Sequence, residues 1–156
     1  MSRRNRPARR QVEPDIRYNS VPLQKFINRM MRGGKKSVAQ QIMYEALDQA
    51  EARASKPAIE VFNDAMANVL PAVEVKPRRV GGATYQIPVE VPEYRQLSLA
   101  IRWMLAAARN RSGRGMASKL AAELVDAANG AGSAVKRRED TLKMAEANRA
   151  FAHLRW

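Results

Sequence analysis

The sequence predicts a mainly α-helical protein, a bundle of about six helices from which a two-stranded β-hairpin protrudes. Apolar residues recur at three- and four-residue spacing along most of the chain, the period of a buried helix face. Between about residues 72 and 91 that period gives way to alternation and β-branched residues around Gly81-Gly82, as in a hairpin. Capping and breaking residues cut the helical remainder into six pieces. At 156 residues the chain suffices for one core, so a single domain over residues 18–156 is expected, preceded by a basic arm over residues 1–17.

In the arm, Arg3, Arg4, Arg6, Arg9 and Arg10 stand with Pro7 and almost no apolar residue, a composition expected to stay disordered until it binds. Ser20 is the expected cap of the first helix, whose stripe is Leu23, Phe26, Ile27, Met30 and Met31, with Gly33 and Gly34 ending it. Ser37 with Gln40 three residues on reads as a capping box for a second helix to about Ala54, with Val38, Ile42, Met43, Leu47 and Ala50 inward. Ser55 and Pro57 begin a third, with Ile59, Phe62, Met66, Val69 and Leu70 as its apolar stripe, and Pro71 stops it.

Pro77 and Pro88 in the hairpin lack ladder donors, which suits an isolated ribbon better than a central strand. Such a ribbon is marginal alone and is expected to gain order from a partner. Three helices follow, at about 93–109 with Leu97, Ile101, Met104, Leu105 and Ala108 inward, at 115–128, and at 133–150 after Gly130 and Gly132, the last capped by Ser133.

Charge says what such a bundle meets. Twenty-eight Lys and Arg against fifteen Asp and Glu give +13, a self-repulsion that a polyanion relieves. The excess is uneven: +9 over residues 1–40, −4 over 41–75, +7 over 76–119 and +1 over 120–156. No apolar run reaches the roughly 18–20 residues a membrane span needs, and the start has no apolar segment for a secretory signal, so an intracellular protein without a membrane partner is expected. The Arg-rich start has the charge of an organellar transit peptide, but about ten residues is short for one, and a basic arm for nucleic acid is preferred. Without cysteine there is no disulfide, thiolate zinc site or Cys nucleophile.

The second and third helices carry the acid, so the basic groups sit elsewhere, in five constellations. Arg29 and Arg32 lie on the outer face of the first helix, and Lys35 and Lys36 follow Gly33-Gly34, where flexible backbone before a helix start suits phosphate oxygens; a plain helix-helix turn is the alternative. A Walker A loop is excluded, because its earlier Gly position is Arg29 and a helix precedes the loop instead of a strand. The hairpin brings Lys76, Arg78 and Arg79 together with Tyr85 beside the narrow Gly81-Gly82 tip: cations for phosphates and one ring for an unstacked base, against the alternative of an ordinary surface hairpin.

Arg95, Arg102 and Arg109 recur at seven-residue spacing and drift by only about 20° per step, a stripe roughly 21 Å long. Acids at helical spacing do not oppose it, and Arg111, Arg114 and Lys119 prolong it; a merely solvated face is the alternative. Lys136, Arg137 and Arg138 sit near a helix start, where the macrodipole disfavours cations unless an anion binds, although Glu139 and Asp140 also offset them. His153 has no companion for metal or acid-base work, and no cofactor, metal site, small-molecule substrate or catalytic residue is expected. A DNA-binding protein and a basic RNA enzyme remain the other classes; the first is separated by competition between DNA and RNA, and the second lacks a constellation to do chemistry.

Three separated stretches carry a resemblance: FINRMMRGGKKSVAQQI (residues 26–42), RRVGGATYQIPVEV (residues 78–91), and GSAVKRRED (residues 132–140) with MAEANRAFAHLRW (residues 144–156). In this order they resemble the bacterial small-subunit ribosomal protein seven family over the whole chain. Ser133 and Arg137-Arg138 stand where relatives often have another small residue and lysines, changes that keep the charge. The resemblance implies a helical bundle with a protruding hairpin, and a cytoplasmic, ribosome-bound protein that binds small-subunit (16S) rRNA first and nucleates assembly of the head. It also implies that the hairpin and last helix lie near exit-site tRNA and the mRNA exit, with neighbouring small-subunit proteins. For RNA contact it carries over Arg78, Arg79, Gly81 and Gly82.

Overall fold

In the computed structural model, which describes residues 11–154, six α-helices and one antiparallel hairpin are found, in the predicted order. Arg3, Arg4, Arg6, Arg9 and Arg10 of the arm lie outside the described residues, as does the side chain of His153. Within the stretch assigned to the arm, Asp15 is buried and accepts from the backbone N–H groups of Arg17 and Tyr18 and from the Tyr44 hydroxyl, while Arg17 pairs with Asp48. Anchoring to the bundle therefore begins before residue 18.

Helix α1 (Val21–Met30) starts as its residues dictate, with Ser20 Oγ accepting from Leu23 N–H at 3.4 Å and proline in the first turn. It ends three residues before Gly33. Lys35 N–H then bonds back to Arg32 and Lys36 N–H to Gly34, so α2 (Lys36–Ala54) has already begun when the chain reaches Ser37. Ser37 is thus inside the helix and caps nothing, contrary to the capping box expected. Ser55 does not open the next helix either: it closes α2 in a left-handed conformation (φ 52°), and Pro57 precedes α3 (Ala58–Val69).

The buried stripe of α2 is Ala39, Met43, Ala46, Leu47 and Ala50, rotated from the predicted one, with Val38 left 50% exposed and Ile42 at the margin. The alanines explain the rotation. They let α2 lie close along α5 (Met116–Ala128), whose Ala117, Leu120, Ala121 and Leu124 are also buried, the most extensive contact between two helices among the described residues. Phe26 of α1 meets Phe62 of α3 edge to face at 5.8 Å in the same core.

Strands β1 (Val73–Val80) and β2 (Ala83–Glu90) pair from Val73↔Glu90 to Val80↔Ala83, closed by Gly81-Gly82 with φ of 58° and 88°, the two positive angles a two-residue hairpin turn needs. The ribbon does not stand alone. Its base packs on α6 (Gly132–Ala147) and on a 3-10 segment, Arg149–Leu154, and Ile87 is buried there, so the partner expected to order it is in part its own chain. Helix α4 (Glu93–Asn110) follows Pro92 and contributes Ile101, Met104, Leu105 and Ala108 to the core. The last helix stops at Ala147, short of the predicted 150, and Ser133 does not cap it.

Candidate nucleic-acid interface

The predicted basic residues fall into two groups, those whose charge the protein answers itself and those it leaves to others. Arg95 belongs to the first. Its guanidinium meets Glu74 of β1 at 3.0 Å, and Lys76 meets the same carboxylate at 3.0 Å. Burial pushes the Glu74 carboxyl up, but the bonds from Arg95 and Lys76 more than reverse this and leave it below the usual carboxylate range. The acid missing from the Arg95 stripe at helical spacing thus comes from the hairpin. This contact ties the ribbon to α4.

Arg111 is likewise internal. It follows α4 and donates through Nε to Glu123 Oε2 at 2.6 Å and through its terminal nitrogen to Asp126, both on α5. Burial opposes the Arg111 charge, and these two carboxylates outweigh it, raising its pKa. Glu123, fully buried, also accepts from Ala134 N–H in the first turn of α6 at 2.9 Å. An anion already stands at that helix start, and it is a glutamate from α5. Nothing in the sequence pattern singles out Glu123, which sits among alanines and leucines as if on a core stripe.

Other cations are left unanswered. Arg29 in the last turn of α1, Arg32 in the following turn and Arg109 in the last turn of α4 come close enough that Arg109 is held below its usual pKa, by burial first and then by repulsion from Arg32 and Arg29. Among the described residues no carboxylate pairs with any of the three, nor with Lys35, Lys36 or Arg102. The loop and helix-stripe constellations thus merge in part: Arg109 joins Arg29 and Arg32, whereas Arg95 and Arg111 turn inward. Lys25, placed by the sequence on the outer face of the first helix but not among the residues expected to contact RNA, lines a groove of about 770 Å³ with Arg29, Tyr94 and Leu97. Its place four residues before Arg29, on the same helix face, was the available signal.

Arg114 and Lys119 gather elsewhere, in a hollow of about 460 Å³ with Ser118, Ser133 and Arg53, the last another residue the sequence reading missed. Lys136 and Arg137 are exposed on α6 and Arg138 is half-buried. On the hairpin, strand alternation divides the expected trio: Arg78, paired with Tyr85, shares a face with Lys76, while Arg79, paired with Thr84, points to the other. Tyr85 packs on Phe151 at 4.9 Å, which engages one part of the ring expected to take a base. Gly81 and Gly82 remain exposed at the tip.

Among the described residues no cluster of His, Asp or Glu is placed to hold a metal, and no helix is long and apolar enough to cross a membrane. Fold and site define a class: a small helical protein with a hairpin, built to present positive charge from helix ends and turns, with its buried carboxylates holding elements together. Comparison with known proteins agrees. The profile described as ribosomal protein S7p/S5e matches residues 2–149. The chain is 58% identical to the small ribosomal subunit protein uS7 of Sphingopyxis alaskensis across the full length of both. It is 57% identical to that of Chloroflexus aurantiacus over 98% of each chain, and 55% identical to that of Thermomicrobium roseum across both. This chain belongs to the ribosomal protein S7p/S5e family; it is a ribosomal protein, a structural constituent and not an enzyme.

Proposed function

We propose that this chain is a constituent of the small ribosomal subunit in the cytoplasm, where it binds small-subunit rRNA and nucleates assembly of the head. The unpaired cluster of Arg29, Arg32 and Arg109 carries the reading. The Arg109 guanidinium of α4 is repelled by Arg29 of α1 and Arg32 of its following turn in the unbound protein, and phosphate oxygens would relieve that while accepting bidentate bonds. Lys35 and Lys36 beside them, the arm, Arg102, and Arg78 and Arg79 around the glycine tip extend the contact to several RNA segments. Arg114, Lys119, Lys136, Arg137 and Arg138 add charge on α5 and α6. Lys76, Arg95 and Arg111 hold the protein's own elements and act on RNA only through them.

From the family resemblance, the hairpin and α6 would lie beside exit-site tRNA and the mRNA exit, with a neighbouring small-subunit protein docked nearby. The test is hydroxyl-radical footprinting of a transcribed small-subunit rRNA, with duplex DNA as competitor at equal salt. Protection confined to head-domain helices, undiminished by DNA, is expected. Protection scattered over the transcript and lost to DNA would sink the reading.

A further inference from the structure

Val38 was expected inside and stands half exposed, and its surroundings show what that exposure makes. With Met31, Ile42 and Met116 it floors a hollow of about 340 Å³ between the α1–α2 turn and the end of α4. Arg32, Lys35 and Arg109, all exposed, line it as well. The volume is at the small end of ligand cavities, which run from roughly 300 Å³. An apolar floor under three cations asks for a ligand that joins a flat apolar part to an anion by a short tether. A nucleotide has that form, and RNA-binding proteins commonly take up bases splayed out of loops and bulges.

We propose that an unstacked base of the bound RNA inserts into this hollow against Met31, Val38, Ile42 and Met116, with an adjoining phosphate held by Arg32, Lys35 and Arg109. The inference rests on the RNA-binding reading above and deepens it. Thioethers are polarizable and contact aromatic rings favourably, and their flexible chains adapt to either purine or pyrimidine, so the floor selects for a base without selecting which. No hydrogen-bonding side chain lies on the floor to read a base edge. Arg109, already repelled by Arg32 and Arg29, gains most from the phosphate.

The full chain, labelled at its methionine methyl groups with carbon-13, is titrated with a transcribed head domain of small-subunit rRNA. The Met31 and Met116 methyl signals are expected to move upfield as a ring current reaches them. Val38→Asn, neutral and at a half-exposed position, is expected to unfold at the wild-type denaturant concentration yet bind the transcript about tenfold more weakly, because it puts an amide against the base. Its slope of log affinity against log salt stays that of wild type, whereas Arg109→Gln lowers the slope by about one phosphate's worth. If wild type binds the transcript while both methyl signals stay still and Val38→Asn binds equally well, the inserted base is wrong and RNA binding stands. If wild type does not bind the transcript, both readings fall.

Discussion

Glu123 shows how one residue can set the arrangement of three helices. Its two oxygens serve Arg111 after α4 and Ala134 N–H at the start of α6, and its own helix, α5, supplies the position. Removing one partner of a buried ion pair costs roughly 3–5 kcal/mol when the other is left uncompensated. Arg111 keeps Asp126 and is partly exposed, so Glu123→Ala is expected to lower unfolding free energy in urea by less than that, chiefly through the unmet Ala134 N–H. Gly132 explains why the contact is possible: a Cβ there would stand 3.0 Å from Glu123 Oε1, and its φ of +90° disfavours any side chain. Gly132→Ala should therefore destabilise by about 1 kcal/mol or more, read from the same urea curves. Glu74 adds a pH dependence. Its carboxyl titrates below its ordinary value near 4.5 in the folded protein, so it contributes stability that is present above that value and lost as pH falls through the depressed one. Denaturation midpoints of wild type and Glu74→Gln should differ at neutral pH and converge as pH falls through and below the ordinary carboxylate range, whereas a constant gap would show that the ion pair does not contribute.

Each of these contacts joins different elements, and that marks the boundary of what was legible beforehand. The six helices and the hairpin could be read because each is written locally: a Ser20 cap, a Gly81-Gly82 turn, an apolar stripe in α3 and α4. The rotation of α2 could not, because it brings Ala39 and Ala46 inward where the helix packs along α5, and single-helix periodicity favours the larger Val38. For the same reason Arg95 and Arg111 looked like part of a free stripe until the carboxylates of other elements came into place. The hairpin combines both kinds of information, with a locally encoded tip and a base held by Ile87, by Glu74 on Arg95 and by Tyr85 on Phe151. Deleting residues 76–86 is expected to keep the helical circular dichroism of the bundle, raise amide exchange in Arg149–Leu154, and weaken rRNA binding. Loss of the helical signal would mean that the ribbon is part of the core, not an appendage on it.

At the scale of the whole molecule, the +13 charge is divided by purpose. The acidic second and third helices, at −4 over residues 41–75, and the buried carboxylates Glu74 and Glu123 give the bundle internal partners. The unpaired cations of α1, its following turn and α4 are left for a polyanion. A protein using charge in this way should release counterions in proportion to the phosphates it meets, and not in proportion to its net charge. With roughly six to ten contacts, affinity for the rRNA head domain is expected to fall about 10³- to 10⁵-fold between 50 and 200 mM salt. The division predicts a contrast within that slope. Arg29→Gln, at an unpaired position, should flatten it by nearly one contact, while Arg95→Gln, whose charge is spent on Glu74, should leave it almost unchanged and lower stability instead. Filter binding across a salt series, paired with urea unfolding of the same variants, measures both axes. Equal slopes for the two variants would show that RNA draws on the whole positive charge alike, and that the internal pairs open when it binds.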